Sequence, residues 1–240
     1  MGKGHGSDLN IMFAEAHYRE KLLELVSSES TWLDLGCGHQ LLPAWLRGSE
    51  AVQRNLSSRC KRLVGIDAVS DDVSRNPYLH ERVVGNLEQL PFENDSFSLS
   101  TARSVIEHLE NPDAFLREVR RVLKPGGRLL LATPNYRYYQ SFVASVTPDA
   151  LKKSLVRHLE GREERDVFKT YYRMNTPVQI ARYAQGAGMT LESLDTMECL
   201  PEFWRLGGPV LAIEKTVIRV LRSDWLRSFR AVIVAVLSKP

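Results

Sequence analysis

Cysteine, excess charge and long apolar runs are all scarce in this chain, and each scarcity removes a class of explanation. The three cysteines, Cys37, Cys60 and Cys199, are widely scattered. They offer neither a disulfide framework nor the paired spacing of a zinc site, so no metal is expected. Lys and Arg number 32 against 29 Asp and Glu, a net charge of +3. That excess is too small to imply nucleic acid by itself, and no continuous basic track with interleaved aromatics is found. No stretch reaches the length of a membrane span, and no apolar signal core stands near the start, so a cytoplasmic protein is the expectation. The dinucleotide pattern Gly-x-Gly-x-x-Gly is absent, because Gln40 and Leu41 stand where its third glycine would be. There is no Walker lysine motif either.

What is present is an ordered alternation of strands and helices. Trp32-Leu33-Asp34-Leu35 reads as a buried strand, and Gly36 and Gly38 permit a tight turn close to a ligand. His39 to Trp45 can start a crossover helix, in a helical region over 41–56 interrupted around Gly48. This is where an open α/β sheet receives a nucleoside-like group. Before it, residues 1–10 read as flexible and Ile11 to Val26 as a helix. After it come a strand over 61–69 carrying Asp67, a short strand and loop over 83–90, and a rather polar strand over 97–104. A helix over 112–123 follows, with Phe115, Leu116, Val119 and Val122 on one face. It stops at the turn Lys124-Pro125-Gly126-Gly127, and a strand over 128–133 runs to Pro134-Asn135. This rhythm predicts a mostly parallel sheet whose strand carboxyl ends share one rim. A carboxylate at Asp67 could accept both hydroxyl hydrogens of a ribose; a solvated strand-end Asp is the plain alternative.

Residues 136–175 break the rhythm with Tyr136, Tyr138, Tyr139, Phe142, Phe168, Tyr171 and Tyr172 among basic residues. An insertion here would lie over the active rim as a lid, unless its aromatics simply turn into the core. Thr176 then caps a helix led by Pro177, and 191–197 reads as a sixth strand. Over 209–222, Val210, Leu211, Ile213, Val217, Ile218, Val220 and Leu221 spread over one side of a helix, and Glu214 interrupts the apolar arc. With Trp225 beside it, the 209–225 segment could lie on a membrane surface or bind a lipid-like substrate; packing on its own domain is the commoner outcome. Ala231 to Leu237 reads as a final strand closing the sheet. A hydrophobic fraction of 43% suits one domain over 1–240, with 136–175 inserted in it.

Four motifs read together carry a resemblance. They are Trp32 to Gly38; Val64-Gly65-Ile66-Asp67; Gly85-Asn86-Leu87-Glu88-Gln89-Leu90-Pro91-Phe92; and the run from Ser104-Val105-Ile106-Glu107-His108-Leu109 through Pro125-Gly126-Gly127 to Thr133-Pro134-Asn135. In this order they resemble the class I S-adenosylmethionine-dependent methyltransferases, in the small-molecule group related to the ubiquinone and menaquinone biosynthesis methylases. The resemblance is strong over 11–135 and holds in outline over 165–240. It implies a Rossmann-like α/β fold with seven strands, mostly parallel, the last antiparallel and inserted between its neighbours, with helices on both faces.

The resemblance implies S-adenosylmethionine as cofactor and assigns its site residue by residue. Asp34, Gly36, Cys37 and Gly38 would cradle the methionine part and ribose, Cys37 filling a small space rather than reacting. Asp67 would bind the ribose hydroxyls, and Ile66 or Ala68 would border the adenine. Asn86 stands where many relatives have Asp, and its carbonyl can still accept the adenine amino hydrogen. Leu87 could donate its backbone N–H to the ring, Ser104 would form the floor, and Tyr18 and His17 could close over the methionine end. His108 is the candidate base, with a structural role in its loop as the alternative, and Glu107 would orient the cofactor or hold that loop. The expected activity is methyl transfer to an O, N or C nucleophile of a small molecule, such as a natural-product, quinone-like or lipid or sugar intermediate. An RNA or protein methyltransferase, and a cofactor-binding regulatory protein without catalysis, are the rivals.

Overall fold

The structure is a computed structural model, and it describes residues 8–43, 46, 48–139, 169–198, 208–221 and 223–240. Residues 1–7 and most of the expected lid lie outside the described residues. Seven strands form one sheet: β1 (Thr31–Leu35), β2 (Arg62–Asp67), β3 (Glu81–Val84), β4 (Phe97–Arg103), β5 (Leu123–Pro134), β6 (Thr190–Met197) and β7 (Val232–Ser238). Their order is β3-β2-β1-β4-β5-β7-β6. The first five strands are parallel, and β7 runs antiparallel to both neighbours, between β5 and β6. The expected topology is therefore found, inserted last strand included.

Alternate residues face opposite sides of the sheet, as the pleat requires. Leu33, Leu35, Leu129, Leu131, Ile233 and Ala235 share one core with α4 (Pro112–Val122) and α5 (Pro177–Gly186). Trp32, Leu63, Leu99, Leu130, Val234 and Val236 pack on the other face against α1 (Asp8–Leu25), α2 (Ser49–Arg59) and α3 (Ser70–Arg75). With both faces covered, β2, the 129–132 stretch of β5 and β7 read as near-continuous apolar runs. On α4, Phe115, Leu116, Val119 and Val122 are fully buried, as their spacing predicted. Each contributes about 1.5–3 kcal/mol by leaving water. Asn111 caps α4 by accepting from Ala114 N, and Thr176 caps α5 by accepting from Gln179 N.

The polar residues of β4 have specific uses. Thr31 and Ser98 exchange hydrogen bonds, each hydroxyl oxygen accepting the other's backbone N–H at 3.0 Å. Thr101 serves the site described below. Ser100 Oγ is buried and has no partner among the described residues.

Two expected boundaries move, and one helix face is read differently. The crossover helix does not begin near His39: α2 starts at Ser49, after Gly48 in the left-handed region at φ 74. Leu41 and Leu42 are buried bend residues instead. Strand β5 begins at Leu123, directly after α4, and takes in Lys124-Pro125-Gly126-Gly127. Those residues bulge where the register jumps from Phe97↔Leu123 to Leu99↔Arg128, with Gly126 at φ 75. On α6 (Gly208–Leu221), Glu214 lies within the packed face rather than breaking it. It is buried with Ile218, and its Oε1 accepts from Tyr139 OH at 2.6 Å. Ile213 and Val220 are turned outward in consequence. Among the described residues no helix is long and apolar enough to cross a membrane.

Candidate active site

The rim at the parallel strands' carboxyl ends carries an open groove of about 660 Å³. Its floor is the turn after β1. Gly36 N–H and Cys37 N–H both donate to Ile66 O, at 2.8 and 3.3 Å, while Gly38 N–H donates to Asp67 Oδ2 at 3.0 Å. Asn76, fully buried, fixes the other side: its amide donates to Cys37 O at 3.1 Å and Gly38 O at 3.3 Å. The turn is thus bolted to the end of β2 through backbone groups. Gly36 is obligatory here. Its φ is 67, and a Cβ would come within 2.3 Å of Val105 Cγ2. At Gly38, φ 46, a Cβ would meet nothing within 4 Å and would project into open space.

Asp67, Ala68, Asn86 and Leu87 line one end of the groove, and Ser104 and His108 line the other. The Asp67 carboxylate already holds the loops, since Oδ1 accepts from Val69 N and Oδ2 from Gly38 N, both at 3.0 Å. Each oxygen keeps a second lone pair for a ligand hydroxyl. Asn86 Oδ1 accepts from Glu88 N at 2.9 Å, an Asx turn that shapes the β3 loop. Ser104 sits at φ 54, a left-handed conformation costly for a residue with a Cβ.

Three expected site residues lie beneath the groove rather than on its wall. Cys37 is buried, its sulfur packed where any Gly65 side chain would go, and burial raises its thiol pKa. Tyr18 is buried on the α1 side, and burial beside the Asp34 charge raises its hydroxyl pKa. Asp34 ends a buried chain: Trp32 Nε1–H donates to Thr101 Oγ1 at 2.7 Å, and the Thr101 hydroxyl donates to Asp34 Oδ1 at 2.5 Å. Burial pushes the Asp34 carboxyl up to about 7, against the opposing effects of Thr101 and Arg103. His17 is not in the groove; its Nε2 lies 2.9 Å from Asp195 Oδ2 on β6.

His108 ends a short 3₁₀ turn, Ile106–His108, after β4. Its Nδ1 faces Lys169 O at 3.0 Å; a carbonyl only accepts, so Nδ1 carries a hydrogen. Its Nε2 lies 4.0 Å from Glu107 Oε1. Glu107 is buried, and desolvation raises its pKa. Its Oε2 accepts from Thr133 Oγ1 at 3.0 Å, and Asn175 Nδ2 donates to that same Thr133 oxygen at 2.7 Å. The Glu107 carbonyl accepts from Tyr171 N and Tyr172 N, bringing Tyr171 into the groove wall.

Sequence reasoning missed Asn76, Val69, Glu110 and Asn175; Tyr171, one of the aromatics of the 136–175 segment, does reach the groove wall. Asn76 stands before Pro77, a turn signal, but nothing in the order of residues told that its amide reaches back across α2 to the glycine turn.

Against known proteins, residues 33–131 match the model of a family described as a methyltransferase domain. That match spans the turn after β1, Asp67 and His108, the same elements that form the groove. Over these residues the chain is similar to a methyltransferase domain. A protein of transposon TN4556 from Streptomyces fradiae is 24% identical over 89% of this chain. The ubiquinone biosynthesis O-methyltransferase of Xanthomonas oryzae pv. oryzae is 27% identical over 72% of it. The chain spans 59% of the first relative's length and 67% of the second's. Among solved structures, a chain in the complex of the Haloferax volcanii Trm112 methyltransferase activator with a putative methyltransferase superposes with TM-score 0.62, at 20% identity, covering 95% of this chain and 89% of that one. The geranyl diphosphate C-methyltransferase of Streptomyces coelicolor A3(2) superposes with TM-score 0.57, at 17% identity, covering 94% and 77%. The family's cofactor is S-adenosylmethionine. The groove fits its nucleoside, with open space over Gly38 and spare lone pairs on Asp67.

The buried Asp34 gives a pH signature. Folded Asp34 keeps its proton to about pH 7, whereas an unfolded Asp releases it near about 4. The folded chain then binds more protons across that window, so this contribution is whole below about pH 4 and is lost as the pH rises towards 7. Relative to wild type, Asp34→Asn should gain stability from pH 4 to 8, by at most about 4 kcal/mol. Denaturant titration of both proteins at each pH checks this; a wild-type-to-variant difference that is flat with pH would refute it.

Proposed function

We propose that this protein transfers the methyl group of S-adenosylmethionine to a small, largely apolar molecule bearing an oxygen, nitrogen or carbon nucleophile. One observation carries the reading: a single groove has a ribose-compatible carboxylate, Asp67, at one end and an imidazole, His108, at the other. When bound, the cofactor supplies the electrophilic methyl carbon and its own leaving group. The protein's share is alignment and exclusion of water. Asp67 accepts the ribose hydroxyls, Leu87 and Asn86 meet the adenine, and the Gly36–Gly38 turn carries the chain between nucleoside and methionine. Val105, Leu109 and Tyr171 make the wall beside His108 apolar and aromatic. The similar proteins named for ubiquinone biosynthesis and geranyl diphosphate support a small-molecule acceptor.

His108 takes the acceptor's proton in this reading. With Nδ1–H held by Lys169 O, the basic nitrogen of the neutral ring is Nε2. Once Nε2 is protonated, Glu107 Oε1 lies 4.0 Å from it, an ion-pair distance rather than a hydrogen bond.

The function is tested by incubating the purified protein and S-adenosylmethionine with metabolite extracts, RNA and protein, and reading products by mass spectrometry. A gain of CH₂ on a small molecule is expected. Methylation of RNA or protein alone would overturn the acceptor class, and cofactor binding with no turnover would favour a regulatory role. On the acceptor found, His108→Gln should lower kcat by about 10²–10⁴-fold while leaving S-adenosylhomocysteine affinity unchanged. Intact turnover would remove the base.

A second reading concerns where an apolar acceptor is met. Ile213 and Val220, seven residues apart on α6, point the same way and are 67% and 52% exposed; Trp225 in the following turn is 80% exposed. Lys215, Arg219 and Arg227 are exposed around them. This combination suits an anionic lipid surface. The protein should co-sediment with phosphatidylglycerol vesicles, less so at high salt, and the double variant Ile213→Ser, Trp225→Ser should not. Equal sedimentation of variant and wild type would sink the idea.

A further inference from the structure

The groove does not end at Ser104. That residue also lines a second, narrower cleft, on the α1 side, walled by Glu15, Arg103, Ala132 and Thr133. The lining thus passes along the rim from the ends of β3 and β2, over the turn after β1, past Ser104, and on towards β5 and α1. Asp67 and Asn86 belong to the first half of this path and Glu15 and Arg103 to the second.

Glu15 and Arg103 are an opposed pair with hydrogen-bonding capacity left over. Arg103 Nη1 donates to Glu15 Oε1 at 3.3 Å, and among the described residues this is the hydrogen bond of the Arg103 side chain. The side chains are 17% and 22% exposed. Glu15 Oε2 is buried and receives no hydrogen bond from any described residue. Desolvation raises the Glu15 pKa even with Arg103 beside it. A pair kept for stability alone would be poorly made, because a buried ion pair repays its desolvation only when its remaining oxygens and N–H groups are satisfied. An orphaned buried carboxylate oxygen beside an under-used guanidinium is instead complementary to a zwitterion: a carboxylate for the planar N–H fork and an ammonium for the free oxygen.

We propose that Glu15 and Arg103 clamp the α-amino-acid end of the cofactor, its carboxylate on Arg103 and its ammonium on Glu15 Oε2. The proposal rests on the groove being the cofactor site. It turns α1, which otherwise only covers the sheet, into part of the binding site, and it gives the short cleft an occupant at the end away from the adenine-facing residues.

Two ligands separate the clamp from the nucleoside site. S-adenosylhomocysteine carries the amino-acid end, and 5′-methylthioadenosine lacks it. Calorimetric titration of wild type, Arg103→Met and Glu15→Gln with both ligands should show wild type preferring S-adenosylhomocysteine. Arg103→Met should weaken that ligand about ten- to a hundredfold and leave 5′-methylthioadenosine within about twofold, as expected for losing one charged contact. Glu15→Gln should move the same way by less. Binding of 5′-methylthioadenosine also certifies that each variant is folded. Equal losses for both ligands would assign the pair a structural role, and unchanged S-adenosylhomocysteine affinity would assign the cleft to the acceptor; either overturns the clamp. Wild type that binds 5′-methylthioadenosine no more weakly than S-adenosylhomocysteine would overturn it too. Wild type that binds neither would overturn the cofactor reading, and the clamp with it.

Discussion

The site depends on the seam between the end of β2 and the turn after β1. Two consecutive N–H groups of the turn reach Ile66 O, and a third reaches the Asp67 carboxylate. Asn76 then ties two of the turn's carbonyls from the other side. The chain reverses here within three residues, two of them glycines in the left-handed region. That is affordable because almost every polar backbone group of the turn has a fixed partner. A cradle made this way presents backbone rather than side chains, so its shape is set by the β1–β2 register and not by rotamers. Asp67 is the shared member: it shapes the floor with one lone pair on each oxygen and keeps one for a ligand.

Below and beside this cradle, three acids sit in the same electrostatic condition. Asp34, Glu15 and Glu107 are each pushed towards the neutral form chiefly by burial. They approach the rim from β1, α1 and the turn after β4. A folded core tolerates such groups only where something offsets their desolvation. Asp34 has a hydroxyl at the end of the Trp32–Thr101 chain, and Glu107 has Thr133 with Asn175 behind it. Glu15 has Arg103 on one oxygen alone. All three acids therefore gather at one end of one sheet, and Glu15 is the one whose second oxygen is left without a hydrogen bond from any described residue.

The strands, the glycine turn and the buried face of α4 were legible because each rests on local chemistry: apolar runs, positive φ, a capping Thr176, a four-residue face on α4; the inserted antiparallel β7 came from the resemblance instead. Elements governed by long-range packing were not legible. The apolar pattern of 41–56 looked helical from its start, but Leu41 and Leu42 are drawn into the α1-side core and the helix waits for Gly48. Lys124-Pro125-Gly126-Gly127 carries every turn signal and does bulge, yet its flanks stay in the ladder, Leu123 paired with Phe97 of β4 and Arg128 with Ser238 of β7. Glu214 read as a flaw in an apolar arc because its partner, Tyr139, comes from another part of the chain. The resemblance put Asp34 in the cradle, and pleat parity turns its side chain with that of Trp32 to the α1 side; Tyr18, placed there on sequence position, is buried on α1.

The two halves of the rim therefore differ in how they are specified. The half over β3, β2 and β1 is backbone and one carboxylate, and motifs of a few residues suffice to announce it. The half over β4 and β5 is made of side chains from α1, the Ile106–His108 turn, Thr133, Tyr171 and Asn175, brought together only by the fold. A surface of that kind can change its preference by single substitutions without disturbing the sheet beneath it. This is why a common cofactor motif and an individual acceptor can coexist on one strand order, and why identities of 24–27% to relatives leave the first half readable and the second not.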